Sequence, residues 1–363
     1  MTHAHNAHHV HDTHTHAHPG VLHSDHVDGA DAAPWWHALR NAGIASVVLV
    51  AIALVISFLL LPVAKAQTKG ELRIGYQKAA SLLALQKSQG TLEKKLAPLG
   101  FGVKWVEFPA GPQLLEGLNV GSIDVGYVGE APPIFAQAAG AKFVYVGNDP
   151  AAPQAEAVVV PKDSAIRTVA DLKGKKVALN KGSNVHYLLV KALEKNGLKY
   201  SDVQPVFLAP ADARAAFERG AVDAWVIWDP FLAAAEKQIG ARLLVDGTGL
   251  VNNHQFYLAE RGFIEKHPQV IAALFDDAVE RGRWLTANLD EAAKLIAPLQ
   301  GLDVEVVKLS LSRYPLNVAP VSAKVAAEQQ KVADVFHELK LIPQAIKVAD
   351  ALPAKPISTA AAR

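Results

Sequence analysis

The segments GLNVGSIDVGYVGEAPPIFAQAAG (residues 117–140) and FERGAVDAWVIWDPFLAAAE (residues 217–236) carry one pattern twice. Gly121-Ser-Ile-Asp124 is followed six residues later by Glu130 and then by Pro132. Gly220-Ala-Val-Asp223 is followed six residues later by Asp229 and then by Pro230. In each copy a helical stretch precedes the glycine and an apolar run follows the aspartate, so both read as helix, turn, strand, helix. A lone Gly-x-x-Asp carries little information. Two copies 99 residues apart with matching flanks imply two similar lobes.

Working outward, short β-branched runs alternate with Ala/Leu-rich amphipathic stretches from Glu71 onward, the pattern of βα units around mostly parallel sheets. Strands are expected at 72–77, 103–108, 123–128 and 142–147, and again at 175–180, 203–207, 222–227 and 242–245. Each set begins alike, with a strand, a polar pair (Gln77-Lys78, Asn180-Lys181), a serine (Ser81, Ser183) and a helix. From about Phe263 to Leu341 the pattern is helical. The expected fold is therefore α/β with two lobes: 67–157 with 254–345, and 158–253, followed by a flexible tail over 346–363. The chain is expected to cross between lobes near 156–161 and 250–256.

In open α/β sheets, ligands lie outside the carboxyl ends of the strands, where helix N-termini point free N–H groups and a dipole at the site. Two facing lobes would present such termini near Ala79–Ser81, Ala131–Pro133, Ser183–Asn184 and Asp229–Phe231, a set suited to an anion. Capping of their own helices is the competing role for Ser183, Asn184 and Asp229. A sulfonate fits these donors because it is anionic at every physiological pH and has three acceptor oxygens and no donor.

Composition narrows the function. The 363 residues hold 36 Lys+Arg against 35 Asp+Glu, and no basic stripe with interleaved aromatics appears, so no nucleic acid partner is expected. There is no cysteine, which removes disulfides, thiolate ligands and a Cys nucleophile; Met1 is the only methionine. Such scarcity of sulfur fits either Ala/Leu-favouring coding or a protein made when sulfur is short. No P-loop, dinucleotide fingerprint or nucleophile elbow is present, and no cofactor is expected.

Residues 1–41 form a polar extension holding 11 of the 15 histidines, among them His3, His5, His8, His9, His11, His14, His16 and His18. Their irregular spacing, without a carboxylate or thiolate framework, supports at most weak zinc or copper binding. The uncharged run 44–61 covers about 27 Å as a helix, near the thickness of a bilayer's hydrocarbon core. Pro62 and the small-residue spacing Ala64-Lys65-Ala66 suit signal peptidase. Segment 42–66 is thus read as a cleaved export signal, with an uncleaved inner-membrane anchor as the alternative. Either places the remainder outside the cytoplasm, in the periplasm.

At four segments the chain resembles a known family: GYQKAASLLALQ (75–86), the run 107–140, VALNKGSNVHYLLVKALE (177–194) and PADARAAFERGAVDAWVIWDPFLAAAE (210–236). With their GEAPP, GSNVHY and WVIWDP motifs they are similar to the aliphatic-sulfonate-binding proteins of ABC importers, within a larger nitrate/taurine/sulfonate group. The resemblance spans about 71–341. It implies a type II periplasmic binding protein, not an enzyme, that is monomeric, closes on an alkanesulfonate and docks on a permease with its ATPase. It also implies a ligand set of Gln77, Glu130, Ala131, Ser183, Asn184, Arg214, Trp228 and Asp229. Arg214 would supply a mobile cation, although Glu218 stands at i+4 as an ordinary helix partner. Trp228 would wall an alkyl chain or simply fill core. Taurine, nitrate or a thiamine-pathway pyrimidine remain alternative ligands, and zinc capture by the His tract an alternative function. Enzymes of this fold group, a desulfinase and a pyrimidine-forming enzyme, depend on cysteines that are lacking here.

Overall fold

The computed structural model describes residues 70–354. The His tract, the apolar run 44–61 and the Ala64–Ala66 spacing lie outside the described residues, so the readings made on them stand as expectations. Along the chain come β1 (Gly70–Tyr76), α1 (Ser81–Gln89), α2 (Thr91–Leu96), β2 (Phe101–Glu107), α3 (Gly111–Asn119), β3 (Val125–Gly129), α4 (Ala131–Ala138) and β4 (Phe143–Asp149). The order then repeats with β5 (Glu156–Val160), β6 (Lys176–Leu179), α5 (Asn184–Lys195), β7 (Gln204–Phe207), α6 (Pro210–Glu218), β8 (Ala224–Trp228), α7 (Phe231–Gln238) and β9 (Arg242–Asp246). After β10 (Gln255–Glu260) the chain is helical: α8 (Arg261–Lys266), α9 (Pro268–Ala287), α10 (Leu289–Gln300), α11 (Val304–Ser312) and α12 (Ala323–Glu338).

Two five-stranded sheets result, ordered β2-β1-β3-β10-β4 and β7-β6-β8-β5-β9. The eight expected strands are all present. Two strands are additional: β5, which takes up most of the segment expected as the first crossing, and β10, which begins where the expected second crossing ends. Each enters its sheet antiparallel to both neighbours, β10 between β3 and β4, and β5 between β8 and β9. The crossings themselves fall at 150–155 and 247–254, so the expected first crossing at 156–161 is displaced: most of that segment is a central strand. Its sequence, EAVVV, is fully buried and lacks the alternation that marks a half-exposed strand.

The repeated Gly-x-x-Asp has a structural purpose. Gly121 and Gly220 adopt φ of 71° and 67°, where a side chain is strained. Each turn then aims its aspartate at the start of the neighbouring strand. Asp124 Oδ2 accepts from Arg73 N at 2.8 Å, and Asp223 Oδ2 accepts from Lys176 N at 2.7 Å. In return Asp124 N donates to Arg73 O and Asp223 N to Lys176 O. The motif fastens the strand before the site in both lobes.

Helices cover both sheets because their apolar residues recur at i, i+3 and i+4. On α5, Val185, Leu188, Leu189, Ala192 and Leu193 are buried. The C-terminal helices join the lobes. In the first lobe α9 packs on α1 and α2, and α10 on α1, while α11 packs on α7 of the second. The tail expected to be flexible from 346 is packed in its described part. Val348 and Ala351 are buried, Val348 N donates to Gln330 Oε1 of α12 at 2.9 Å, and Gln137 Nε2 of α4 donates to Lys347 O at 2.7 Å.

Candidate functional site

Both lobes turn the carboxyl ends of their parallel strands toward one another. There, seven of the eight residues singled out by resemblance are buried. Gln77 Nε2 donates to Tyr127 O at 3.1 Å, tying the end of β1 to β3. Ala131 opens α4, and Ser183 Oγ donates to Asn180 O at 2.8 Å, closing the turn before α5 rather than capping the helix. Asn184 Nδ2 donates to Glu156 Oε2 at 2.6 Å and to Asn253 Oδ1 at 2.8 Å. Trp228 meets Phe231 edge-on, with ring centroids 6.2 Å apart. Arg214 stands apart from the others. It lies on the outer side of α6, with Nε on Glu218 Oε1 at 2.6 Å and Nη1 on Gln238 Oε1 at 3.0 Å. Its i+4 partner wins because both side chains stay solvated there.

The lobes touch through this layer. A Cβ added to Gly129 at the end of β3 would stand 2.6 Å from Asn184 Oδ1, and one added to Gly182 would stand 3.5 Å from the Phe135 ring of α4. His186 is buried beneath the contact. Gly182 N donates to its Nδ1 at 3.3 Å, and Nε2 faces Tyr200 Oη at 2.8 Å. Burial pushes it down to about 4, so the ring is neutral and serves packing.

Four acids are buried where the lobes meet. Burial raises Glu130 to about 7, opposed by the N–H groups of His254 and Asn253. Asp149 is pushed up to about 7 by burial, against the Tyr127 hydroxyl that donates to it at 2.8 Å. Glu156 is raised well above the carboxylate range, first by burial and then by the charge of Glu130. Asp229 rises to about 6 by burial, and Arg313 restrains it. Arg313 was not legible in the sequence. It sends Nη1 to Asp229 Oδ2 at 3.2 Å and Nη2 to Glu236 Oε2 at 2.6 Å from just beyond α11.

These raised values give stability an unusual pH slope. Between the ordinary carboxylate range near 4 and the folded values of 6 to 7, the native state binds more protons than the unfolded chain. The slope of unfolding free energy against pH from these groups is therefore negative. Scanning calorimetry should find the folded domain more stable at pH 5.5 than at pH 7.5. A higher melting temperature at pH 7.5 would contradict the assignment.

Among the described residues, one cavity is framed by the ends of β1, β2, β7 and β8 from both lobes. It encloses about 370 Å³ between Lys78, Phe108 and Pro109 of the first lobe and Ala209, Pro210 and Phe231 of the second. These residues follow β1, β2, β7 and β8, so α1, α3, α6 and α7 begin at its wall. The expectation named α1 and α7 but set α4 and α5 beside them; the latter two meet across the lobe contact instead. Lys78 brings a cation, its Nζ held on Gln300 O at 2.5 Å, and Glu107 an acid at the exposed rim. Lys78 belongs to the polar pair, and Phe231 to the helix terminus, that the sequence had already marked. A cavity of about 290 Å³ runs along α3 and α4 to Lys181 and Gly182 after β6, and one of about 340 Å³ lies beside the crossings. Among the described residues no group of three or more His, Cys, Asp or Glu is placed to hold a metal ion.

Two matched sheets with helices starting at a shared interlobe cavity define a two-lobed periplasmic binding protein of the type II arrangement. Residues 65–299 match the NMT1-like family. The chain belongs to that family and, within it, to the aliphatic sulfonate-binding proteins. It is 47% identical over 304 residues to an aliphatic sulfonates-binding protein of Escherichia coli (strain K12), covering 84% of this chain and 95% of that one. The alkanesulfonate-binding protein SsuA of Xanthomonas axonopodis pv. citri, solved bound to MOPS, superposes with a TM-score of 0.75 at 45% identity over 78% of this chain and 98% of that one. A taurine-binding periplasmic protein of Escherichia coli (strain K12) is 28% identical over 227 residues, 60% of this chain and 67% of that one.

Proposed function

We propose that this protein is the substrate-binding component of an ABC importer, holding an alkanesulfonate between its lobes and releasing it unchanged to a permease. It works as a monomer in the periplasm, exported by its N-terminal segment. The observation that carries this reading is the 47% identity to the Escherichia coli protein, which runs across both lobes. The site's chemistry agrees with it. Helix N-termini and Lys78 offer donors to a permanent anion, while Phe108 and Phe231 offer apolar wall to its organic part. Gln77, Ala131, Ser183, Asn184, Trp228 and Asp229 then shape the strand ends around the ligand, chiefly through backbone and packing. Arg214 has no part in it. Binding rather than chemistry is its task, as the names of its relatives as binding proteins support.

Glu107 at the rim favours sulfonates that also carry an ammonium group, the class to which MOPS belongs. A thermal-shift screen of ethanesulfonate, longer alkanesulfonates, MOPS, taurine, nitrate and sulfate tests both points. A ligand at 100 times its Kd should stabilise the protein by about 2.7 kcal/mol. Response to sulfonates but not to nitrate or sulfate is expected. Response to nitrate alone would overturn the substrate assignment.

A further inference from the structure

We infer that closure of the lobes on a sulfonate also captures a proton, held by the facing carboxyl pair Glu130 and Glu156. The inference rests on the proposed function, since it is sulfonate binding that draws the lobes together. Glu130 follows β3 of the first lobe, and Glu156 begins β5 of the second. Each is buried, at 2% and 0% exposure. Each uses one carboxyl oxygen: Glu130 Oε2 accepts from His254 N at 3.1 Å, and Glu156 Oε2 from Asn184 Nδ2 at 2.6 Å. The other oxygen of each, Oε1, is buried without a hydrogen-bond partner among the described residues. Asn184 also binds Asn253, so one amide links the second lobe's acid to the crossing segment that serves the first lobe's acid.

Two acids brought together from opposite lobes into one dry contact cannot both stay ionised. The N–H groups that bond them offset this only in part. From α12, Glu328 adds a further negative charge beside Glu130, with its own Oε2 on His254 Nε2 at 3.0 Å. Lys331 lines the same cavity as Glu130, and Tyr187 of α5 lies there too. Tyr314 faces Glu156, and with it Asp149 and Asp229. With the lobes apart, water reaches the contact and both acids return toward ordinary carboxylate behaviour. Closing them near neutral pH therefore takes up a proton, which becomes a second ligand of the closed form. A sulfonate does not titrate in this range, so any pH dependence of its binding belongs to the protein.

The sign follows from burial. Glu130 rises to about 7 when closed, and Glu156 rises further. Proton uptake on binding then spans the interval from the ordinary carboxylate range to 7 and beyond, and affinity weakens as pH rises through it. One proton per ligand corresponds to about a tenfold change in Kd per pH unit. Titration calorimetry with an alkanesulfonate on the wild-type protein should find Kd at least ~10-fold weaker at pH 7.5 than at pH 5.5. Repeating it in buffers of different ionisation enthalpy should count about one proton taken up, a readout that needs no variant. Glu156→Gln keeps the acceptor for Asn184 and should shrink the dependence, and Glu130→Gln/Glu156→Gln should remove it. Tight binding with a flat pH profile and no proton uptake overturns the inference alone. Absence of sulfonate binding at every pH overturns the proposed function and the inference with it.

Discussion

Gly129→Val is expected to weaken alkanesulfonate binding by roughly 100-fold, equivalent to about 2.8 kcal/mol at 1.4 kcal/mol per decade. Gly129 closes β3 on the first lobe, and its Cα faces Asn184 of the second. An added Cβ would stand 2.6 Å from Oδ1, 2.8 Å from Cγ and 3.3 Å from Cβ of that side chain. Asn184 has no free direction of retreat, because Glu156 and Asn253 hold its amide at 2.6 and 2.8 Å. Valine is at home in a strand, so the fold should survive and the lobes should part instead. The binding-competent closed state is then depopulated, and apparent affinity falls by that fraction. Calorimetric titration reads the loss, and small-angle scattering should show the variant staying extended under saturating sulfonate. Unchanged affinity in a closed variant would mean that Asn184 yields more easily than its bonds suggest.

Arg313→Met should destabilise the protein by an amount that grows with pH. Asp229 is fully buried, and its carboxyl sits near 6 because Arg313 offsets part of the desolvation. Below that pH the carboxyl is protonated with or without the guanidinium, so the charge contributes little and the loss is mostly packing. Above it, the wild type ionises against Arg313, while the variant must keep its proton at a rising penalty. That penalty is up to about 1.4 kcal/mol per pH unit, limited by the 3–5 kcal/mol typical of a broken buried ion pair. Urea unfolding at pH 6 and pH 8.5 should therefore show a markedly larger loss at the higher pH. Adding Asp229→Asn should flatten the difference. A loss equal at both pH values would show that the arginine acts only by filling space.

The repeat pattern made the two lobes legible before any coordinates, because a left-handed glycine followed by a strand-fastening aspartate is a local device with local cues. Gly121 with Asp124 and Gly220 with Asp223 announce themselves in four residues each. The crossing strands did not, since Glu156–Val160 is buried on both faces and shows no alternation, and its partners β8 and β9 lie far downstream. Within the site the same distinction holds. Lys78 and Phe231 fall within the polar pair and the helix terminus that the repeat had marked. Arg313 lies 84 residues beyond Asp229 in an unremarked helical stretch, and only tertiary packing brings the two together. Arg214 attracted attention as a basic residue in a conspicuous motif, yet its nearest helical neighbour had already claimed it.

The placement of β10 has a consequence for how the molecule comes into being. A chain that emerges amino end first can complete its second sheet as soon as residue 246 is free, because β5 to β9 are contiguous. The first sheet must wait: β4 is joined to it only through β10, which appears later. For about a hundred residues of growth the earlier-made lobe is the unfinished one, its β3 and β4 edges open to water and to other chains. The lobe made second is complete first, and the return of Gln255–Glu260 seals its elder.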